Sequence, residues 1–339
     1  MIYRPRSFDW TRLWQGLLLT TCLAFSAAAE SQEQPSKDTK PIAQVAARYL
    51  AAIQAQDWTT MEAMLAEEAH YQDYSAELFG TPKIDLRGPA AIVGFWRDSS
   101  RDSGTVSIGF DFDERFVAGP NLVLRGHGEV RVRAAAWGLP LEYLDTRFSL
   151  ISHLRIVDGK VTHHTDHVDY GAMERQIVAQ VEDHNRQHGT EASFPVSSVD
   201  EAILGHATDY LAALHRDDWQ SLERWLSAES SYLNFTAEGI SGSIERAEGG
   251  EQMLQLFRSA RAQSETLKLH LEVKESFVAG PNVFLVGTYQ VTTRGEPWGV
   301  ESETVRFGIP MVVHLRLVEG KVVEHVEYMD YATGFAQLK

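Results

Sequence analysis

The chain has a single cysteine, Cys22, and it lies inside an N-terminal apolar run. If that run is removed, the mature chain has no thiol, which excludes a disulfide, a thiolate metal ligand and a cysteine nucleophile. Missing as well are a Gly-x-Ser-x-Gly elbow, a phosphate loop, a dinucleotide fingerprint and a His-Glu-x-x-His pair, so hydrolase, kinase and dehydrogenase readings fall away. Positive charge is scarce: 31 Lys and Arg stand against 47 Asp and Glu, a formal net charge of -16. Such an acidic surface argues against nucleic acid and against anionic membrane faces as partners. No stretch beyond the leader is long and apolar enough to read as a membrane span.

The leader carries Arg4, Arg6 and Arg12, then an apolar run from Leu13 to Phe25, then Ser26 and three alanines before Glu30. This reads as a secretory signal peptide over residues 1–29, cleaved near Ala28 or Ala29, and implies a periplasmic or secreted protein. Its removal leaves the chain two units more acidic. The tetrapeptide ending at Cys22 faintly resembles a lipoprotein processing site, but Thr21 is bulky for the position before the cysteine. Residues 30–40 are polar and Ser/Gln/Lys-rich, and read as a disordered lead.

From Pro41 onward, what is there is a repeat. An offset of 161 residues maps Tyr49 onto Tyr210, Asp57-Trp58 onto Asp218-Trp219 and Tyr71 onto Tyr232. It also maps the hexapeptide 116–121 onto 277–282, Trp137-Gly138 onto Trp298-Gly299 and His153 onto His314. The chain is therefore read as a tandem duplication, domains 41–171 and 201–335 joined by a linker over 172–200. In each copy two helices come first, with Ile42, Val45, Ala46, Tyr49, Leu50 and Ile53 on one helical face. A short strand, a further helix and long alternating strands follow, so the expected class is α+β, a curved antiparallel sheet packed against N-terminal helices.

Asp158-Gly159 and Glu319-Gly320, each between alternating β-branched runs, predict two-residue hairpin turns. Counting outward from Val157 facing Lys160 sets His153 opposite His164 and Ile151 opposite Asp166. The second copy likewise sets His314 opposite His325 with Glu327 beside them. Two imidazoles and a carboxylate are thus expected together, twice. On the early strand Tyr71 and Asp73 share one face and His70, Gln72 and Tyr74 the other; the second copy offers Tyr232 and Asn234. Trp58 and Trp219 read as core, Trp137 and Trp298 as lining a pocket mouth or pinning a turn, and Asp169 and Asp330 as structural.

Helices first, a Gly-Pro-Ala-Ala-Ile helix start at 88–92, a terminal Asp-Gly-Lys-Val hairpin and then His-Thr-Asp make each half resemble the SnoaL-like polyketide cyclase branch of the nuclear transport factor 2 superfamily. The superfamily also contains ketosteroid isomerase and limonene epoxide hydrolase. The resemblance covers nearly the whole mature chain and implies two cones, each a curved sheet wrapped on helices around an apolar pocket. It matches His164 and Asp166, and His325 and Glu327, to the family's terminal His-Trp-Asp, with Thr165 and Val326 in place of the Trp. The Asp is the family's acid/base residue. A buried carboxyl next to an imidazole suits that role, because burial lifts its pKa toward working pH.

Two readings follow. In the first, the chain is an exported, cofactor-independent enzyme of cyclase or isomerase type binding a hydrophobic, carbonyl-bearing small molecule in the first domain. Asp166 shuttles a proton, His164 and His153 orient it, and Tyr71 or Asp73 serves the oxyanion. Trp137, Tyr232, Asn234, His314, His325 and Glu327 are the candidate ligand-binding residues. In the second, it is a non-catalytic periplasmic binding or interaction module, its two cones packed as an internal version of the superfamily's dimer, with further homo-oligomerisation open. A divalent metal on His153, His164 and Asp166 is a lesser alternative; no cofactor is expected.

Overall fold

Each copy begins with an amphipathic helix closed by an aspartate-capped second one. In the computed structural model, which describes residues 39–80, 82–197 and 202–338, these are α1 (Thr39–Gln54) and α2 (Trp58–Met64). Ala46, Tyr49, Leu50 and Ile53 are buried, as the helical spacing predicts. Asp57 caps α2 by accepting from Thr60 N at 3.0 Å, and Asp218 does the same for Ser221 N at the corresponding helix Trp219–Trp225. The leader expected at 1–29 and most of the polar lead lie outside the described residues.

Among the described residues the chain forms two compact units, one of residues 39–197 together with 277–282 and the other of residues 202–276 and 283–338. In the first, β1 (Leu65–Asp73), β2 (Ile84–Arg87), β3 (Thr105–Ala118), β4 (Asn121–Arg133), β5 (Tyr143–Val157) and β6 (Lys160–Val168) make one sheet in the order β2-β1-β6-β5-β4-β3. The second repeats it with β7 (Ser231–Asn234), β8 (Glu245–Glu248), β9 (Thr266–Ala279), β10 (Asn282–Arg294), β11 (Thr304–Val318) and β12 (Lys321–Met329) in the order β8-β7-β12-β11-β10-β9. The fold is α+β, as expected, but each sheet is mixed. β1 runs parallel to β6 and β7 parallel to β12, because the first strand is joined to the last through the whole intervening copy rather than by a hairpin.

The inner face of the first sheet packs on α1, α2 and the helix Pro89–Asp102, with Tyr49, Ile53, Met61, Ile92 and Leu154 among its buried side chains. Farther along the strands, Phe148, Leu150 and Val168 pack with Met173 of the long helix Tyr170–His188. Close approach of neighbouring strands requires glycine at two matching positions: a Cβ on Gly126 would lie 2.1 Å from the Asp111 carbonyl oxygen, and one on Gly287 2.2 Å from that of Glu272. Asp169 and Asp330 cap the helices that follow β6 and β12, accepting from Ala172 N at 2.8 Å and Thr333 N at 3.0 Å.

Both terminal hairpins turn where expected. Asp158 and Gly159 have φ of 50° and 73°, Glu319 and Gly320 50° and 74°, the left-handed pair that a type I′ turn requires. The register beyond the turn differs from the expectation. A bulge at Thr162 makes Arg155 face His163, Leu154 face His164 and Ser152 face Asp166. A bulge at Val323 does the same in the second copy, where Leu315 faces His325 and Val313 faces Glu327. One extra residue in one strand exchanges the faces of everything beyond it. His153 and His314 are therefore opposite Thr165 and Val326, on the outer face, and do not join His164 and His325.

Candidate functional site

On the inner face of the first sheet, β6 contributes His164 and Asp166, and the parallel β1 sets Tyr71 beside His164 and Asp73 beside Asp166. Asp166 accepts from Ser152 Oγ at 2.5 Å, from Tyr71 OH at 3.2 Å and from His164 Nε2 at 3.0 Å. The other imidazole nitrogen, Nδ1, is 3.1 Å from the hydroxyl of Tyr49 on α1. His164 and Asp166 are 2% and 6% exposed. Burial pushes the Asp166 carboxyl up, but the His164 imidazole beside it and the hydrogen bonds from His164, Ser152 and Tyr71 outweigh that and hold it below its ordinary value.

Asp73 has the opposite balance. It accepts from Ser75 N at 2.8 Å and from Tyr170 OH at 2.7 Å. Burial, reinforced by the charge of Asp166, nevertheless pushes it up to about 7. Two carboxyls at one register position are thus driven apart: one stays ionised at neutral pH, and the other holds its proton up to that range. A pair split in this way can work as base and acid. The half-buried rings of Phe110 and Phe112, 5.9 Å apart and stacked, and of Phe95 and Trp96 pack against this core.

The second domain reproduces the arrangement with other residues. His325 Nε2 lies 3.1 Å from Glu327 Oε1, and Tyr210 OH is 3.0 Å from His325 Nδ1. Glu327 accepts from Tyr232 OH at 2.8 Å and from Tyr289 OH at 3.0 Å. Burial raises its carboxyl, and the neighbouring His325 with the two tyrosines outweighs burial, so Glu327 also sits below its ordinary value. Asn234 replaces Asp73 and donates to Tyr331 OH at 2.8 Å.

The structure therefore brings together Asp166, His164, Tyr71 and Asp73, and separately Glu327, His325, Tyr232 and Asn234. It separates His153, whose Nε2 lies 2.9 Å from Asn121 Oδ1 on the outer face, and His314, which stacks on Phe284 at 4.7 Å. The metal set of His153, His164 and Asp166 is not assembled, and among the described residues no group of three or more His, Cys, Asp or Glu is placed to hold a metal ion. Trp137 is 40% exposed and pins a turn through Nε1 donating to Ser103 O at 3.0 Å; Trp298 is buried and donates to Thr293 Oγ1 at 3.2 Å. Trp58 and Trp219 are half-buried. Sequence reasoning missed Tyr49, Ser152, Tyr170, Tyr210, Tyr289 and Tyr331. Tyr49 and Tyr210 carried a signal, since a buried tyrosine recurring on an apolar helix face needs a partner for its hydroxyl.

No curated protein matches the chain. The model of the SnoaL-like domain matches residues 46–164, and that of the SnoaL-like polyketide cyclase matches residues 206–338. Among solved structures, a candidate SnoaL-like polyketide cyclase from Shewanella denitrificans OS-217 is 22% identical over 42% of this chain and 99% of its own, with a TM-score of 0.37. Another from Shewanella putrefaciens CN-32 is 25% identical over 41% of this chain and 98% of its own, at 0.36. An LEH-like epoxide hydrolase of M. tuberculosis is 19% identical over 43% of this chain and 98% of its own, at 0.34. The chain belongs to the SnoaL-like family and carries two of its domains in tandem.

Proposed function

We propose that the first domain binds a small hydrophobic molecule bearing a carbonyl group and moves a proton on it without a cofactor. The observation that carries this reading is the split carboxyl pair: Asp166 held ionised by His164, Ser152 and Tyr71 beside Asp73, pushed up to about 7. Asp166 takes a proton from the carbon next to the carbonyl. The electron pair moves to the carbonyl oxygen, and Asp73 gives its proton there. Tyr71, whose hydroxyl proton is already directed at Asp166, positions the carboxylate rather than the ligand oxygen.

A second reading, a binding module without turnover, draws on one specific feature: the whole row Tyr49, His164, Asp166, Ser152, Tyr71 is satisfied within the protein and almost fully buried. A thermal-shift screen against hydrophobic ketones, repeated with Asp166→Asn, separates the two. A compound present at about a hundred times its Kd adds about 2.7 kcal/mol to stability. The catalytic reading expects the shift in both proteins and a turnover that falls sharply on Asp166→Asn. A shift in both with turnover in neither leaves the binding module.

We further propose export to the periplasm or medium, supported by the leader sequence. An intact mass of the protein from its native host beginning at Ala29 or Glu30 is expected; a mass beginning at Met1 contradicts it.

A further inference from the structure

In the second domain the residue across from Asn234 is Glu245, on β8; its counterpart across from Asp73 is Ile84. Strand parity puts Glu245 on the inner face with Tyr232 and Asn234, and the parallel register adds His325 and Glu327. The Glu245 carboxyl interacts with the Tyr232 hydroxyl, which itself donates to Glu327 Oε2 at 2.8 Å. Glu245 is half-buried, whereas Tyr232 and Glu327 are 5% and 4% exposed. Glu245, Tyr232, Glu327, His325 and Tyr210 thus form a continuous polar row from a partly exposed carboxyl to a fully buried hydroxyl. Burial, with the Glu327 charge adding to it, pushes Glu245 up to about 8. The proton-holding carboxyl that the first domain keeps at Asp73 has moved one strand outward, and its charge bears on the hydroxyls of Tyr232 and Tyr331.

We propose that the second domain is a proton-transfer site in its own right, in which Glu327 takes a proton from a small neutral ketone and Glu245 is the solvent-side carboxyl that gives and recovers it. In the forward step Glu327 removes the hydrogen next to the carbonyl, the electron pair moves to oxygen and Glu245 protonates that oxygen to the enol. Recovery passes the proton from Glu327 to Tyr232 while Tyr232 passes its own to Glu245, so no oxidant or co-reactant is needed. The inference takes its reaction class from the reading of the first domain, but not that domain's residues.

The test uses the full chain carrying Asp166→Asn, which removes the first domain's base, and follows deuterium uptake at the carbons next to the carbonyl of cyclohexanone in D2O by proton NMR. Uptake above the buffer rate is expected, falling at least tenfold on adding either Glu245→Gln or Glu327→Gln. A second readout is carboxyl 13C NMR of protein labelled only at glutamate. One resonance should titrate near 8, vanish in Glu245→Gln and shift to lower pH in Glu327→Gln, where the neighbouring charge is gone. Uptake in the Asp166→Asn protein that Glu245→Gln leaves unchanged overturns the proposal, as does the lack of any glutamate titrating above pH 6. Uptake that is present in the wild type and lost with Asp166→Asn alone overturns it while leaving the first-domain reading standing. The reverse pattern, full uptake in Asp166→Asn and none in Glu327→Gln, supports it and removes the first-domain reading instead.

Discussion

The two domains solve one electrostatic problem with different residues. Each buries a carboxylate next to a histidine whose far nitrogen meets a helix tyrosine, and each carboxylate accepts from three donors. In the first domain the third donor is Ser152, and the opposite strand carries Gly128, where a Cβ would lie 2.4 Å from the Phe148 ring. At the matching positions of the second domain stand Val313, Tyr289 and Ile309. The hydroxyl has moved from β5 to the strand beside it, and Ile309 in place of Phe148 leaves room for the Tyr289 ring. The duplication has kept the number of hydrogen bonds to the buried charge, not the residues that make them. This is what physics requires, because an under-solvated buried carboxylate is costly whoever its neighbours are.

The sharpest way to break that equivalence is to remove the histidines. His164→Ala and His325→Ala should each cost about 3–5 kcal/mol in urea unfolding, since each leaves a buried carboxylate without its principal partner. A cost under about 1 kcal/mol in one domain would mean that its carboxylate takes a proton instead of a partner.

Next comes the position at which the domains differ most, Asp73 against Asn234. The folded Asp73 holds its proton to about 7, above its unfolded value, so between roughly pH 4 and 7 the folded state binds more protons and stability falls as pH rises. Asp73→Asn should remove that slope, adding on the order of 3 kcal/mol at pH 8 and almost nothing at pH 4. The second domain indicates that the amide fits, because Asn234 donates to Tyr331 where Tyr170 donates to Asp73. The reverse change, Asn234→Asp, should lose stability at pH 8, since it adds a carboxyl beside Glu327 and Glu245. Urea unfolding at the two pH values measures both.

Much of this was readable from the chain. The repeat, the N-terminal helices, the two hairpin turns and the shared face of Tyr71 and Asp73 all follow from local rules of period and turn chemistry. The site was only half legible, and the reason is a single residue: Thr162 bulges, and with Val323 doing likewise the count from each turn is off by one beyond it. That slip grouped His153 and His314 with the carboxylates and hid Ser152, the residue that actually faces Asp166. Neither Thr162 nor Val323 is a glycine or otherwise announces a bulge. The parallel pairing of β1 with β6 was equally silent, because it joins segments nearly a whole domain apart. Tyr170 and Tyr331 could be placed only once the chain after the last strand was seen to turn back over the sheet's inner face.

Smaller effects refine the comparison. Ser152→Val should cost about 1.5–3 kcal/mol, the worth of a hydrogen bond to a charged group, whereas Val313→Ser should change stability by less than about 1 kcal/mol, because Tyr289 already fills the role. Thermal unfolding of the pair reads the difference directly. Smallest and most nearly equal are the helix caps: Asp169→Ala and Asp330→Ala should each cost about 1 kcal/mol.

The central claim is that the first domain holds one ionised and one protonated carboxyl at a single buried register position. Carboxyl 13C NMR of protein labelled at aspartate, titrated in the wild type, Asp73→Asn and Asp166→Asn, tests it most directly. The account predicts one resonance with a midpoint near 7 that is missing in Asp73→Asn, and another, missing in Asp166→Asn, whose midpoint lies below that of an ordinary aspartate. Two midpoints both below 4 would leave the site without an acid at neutral pH and contradict the account.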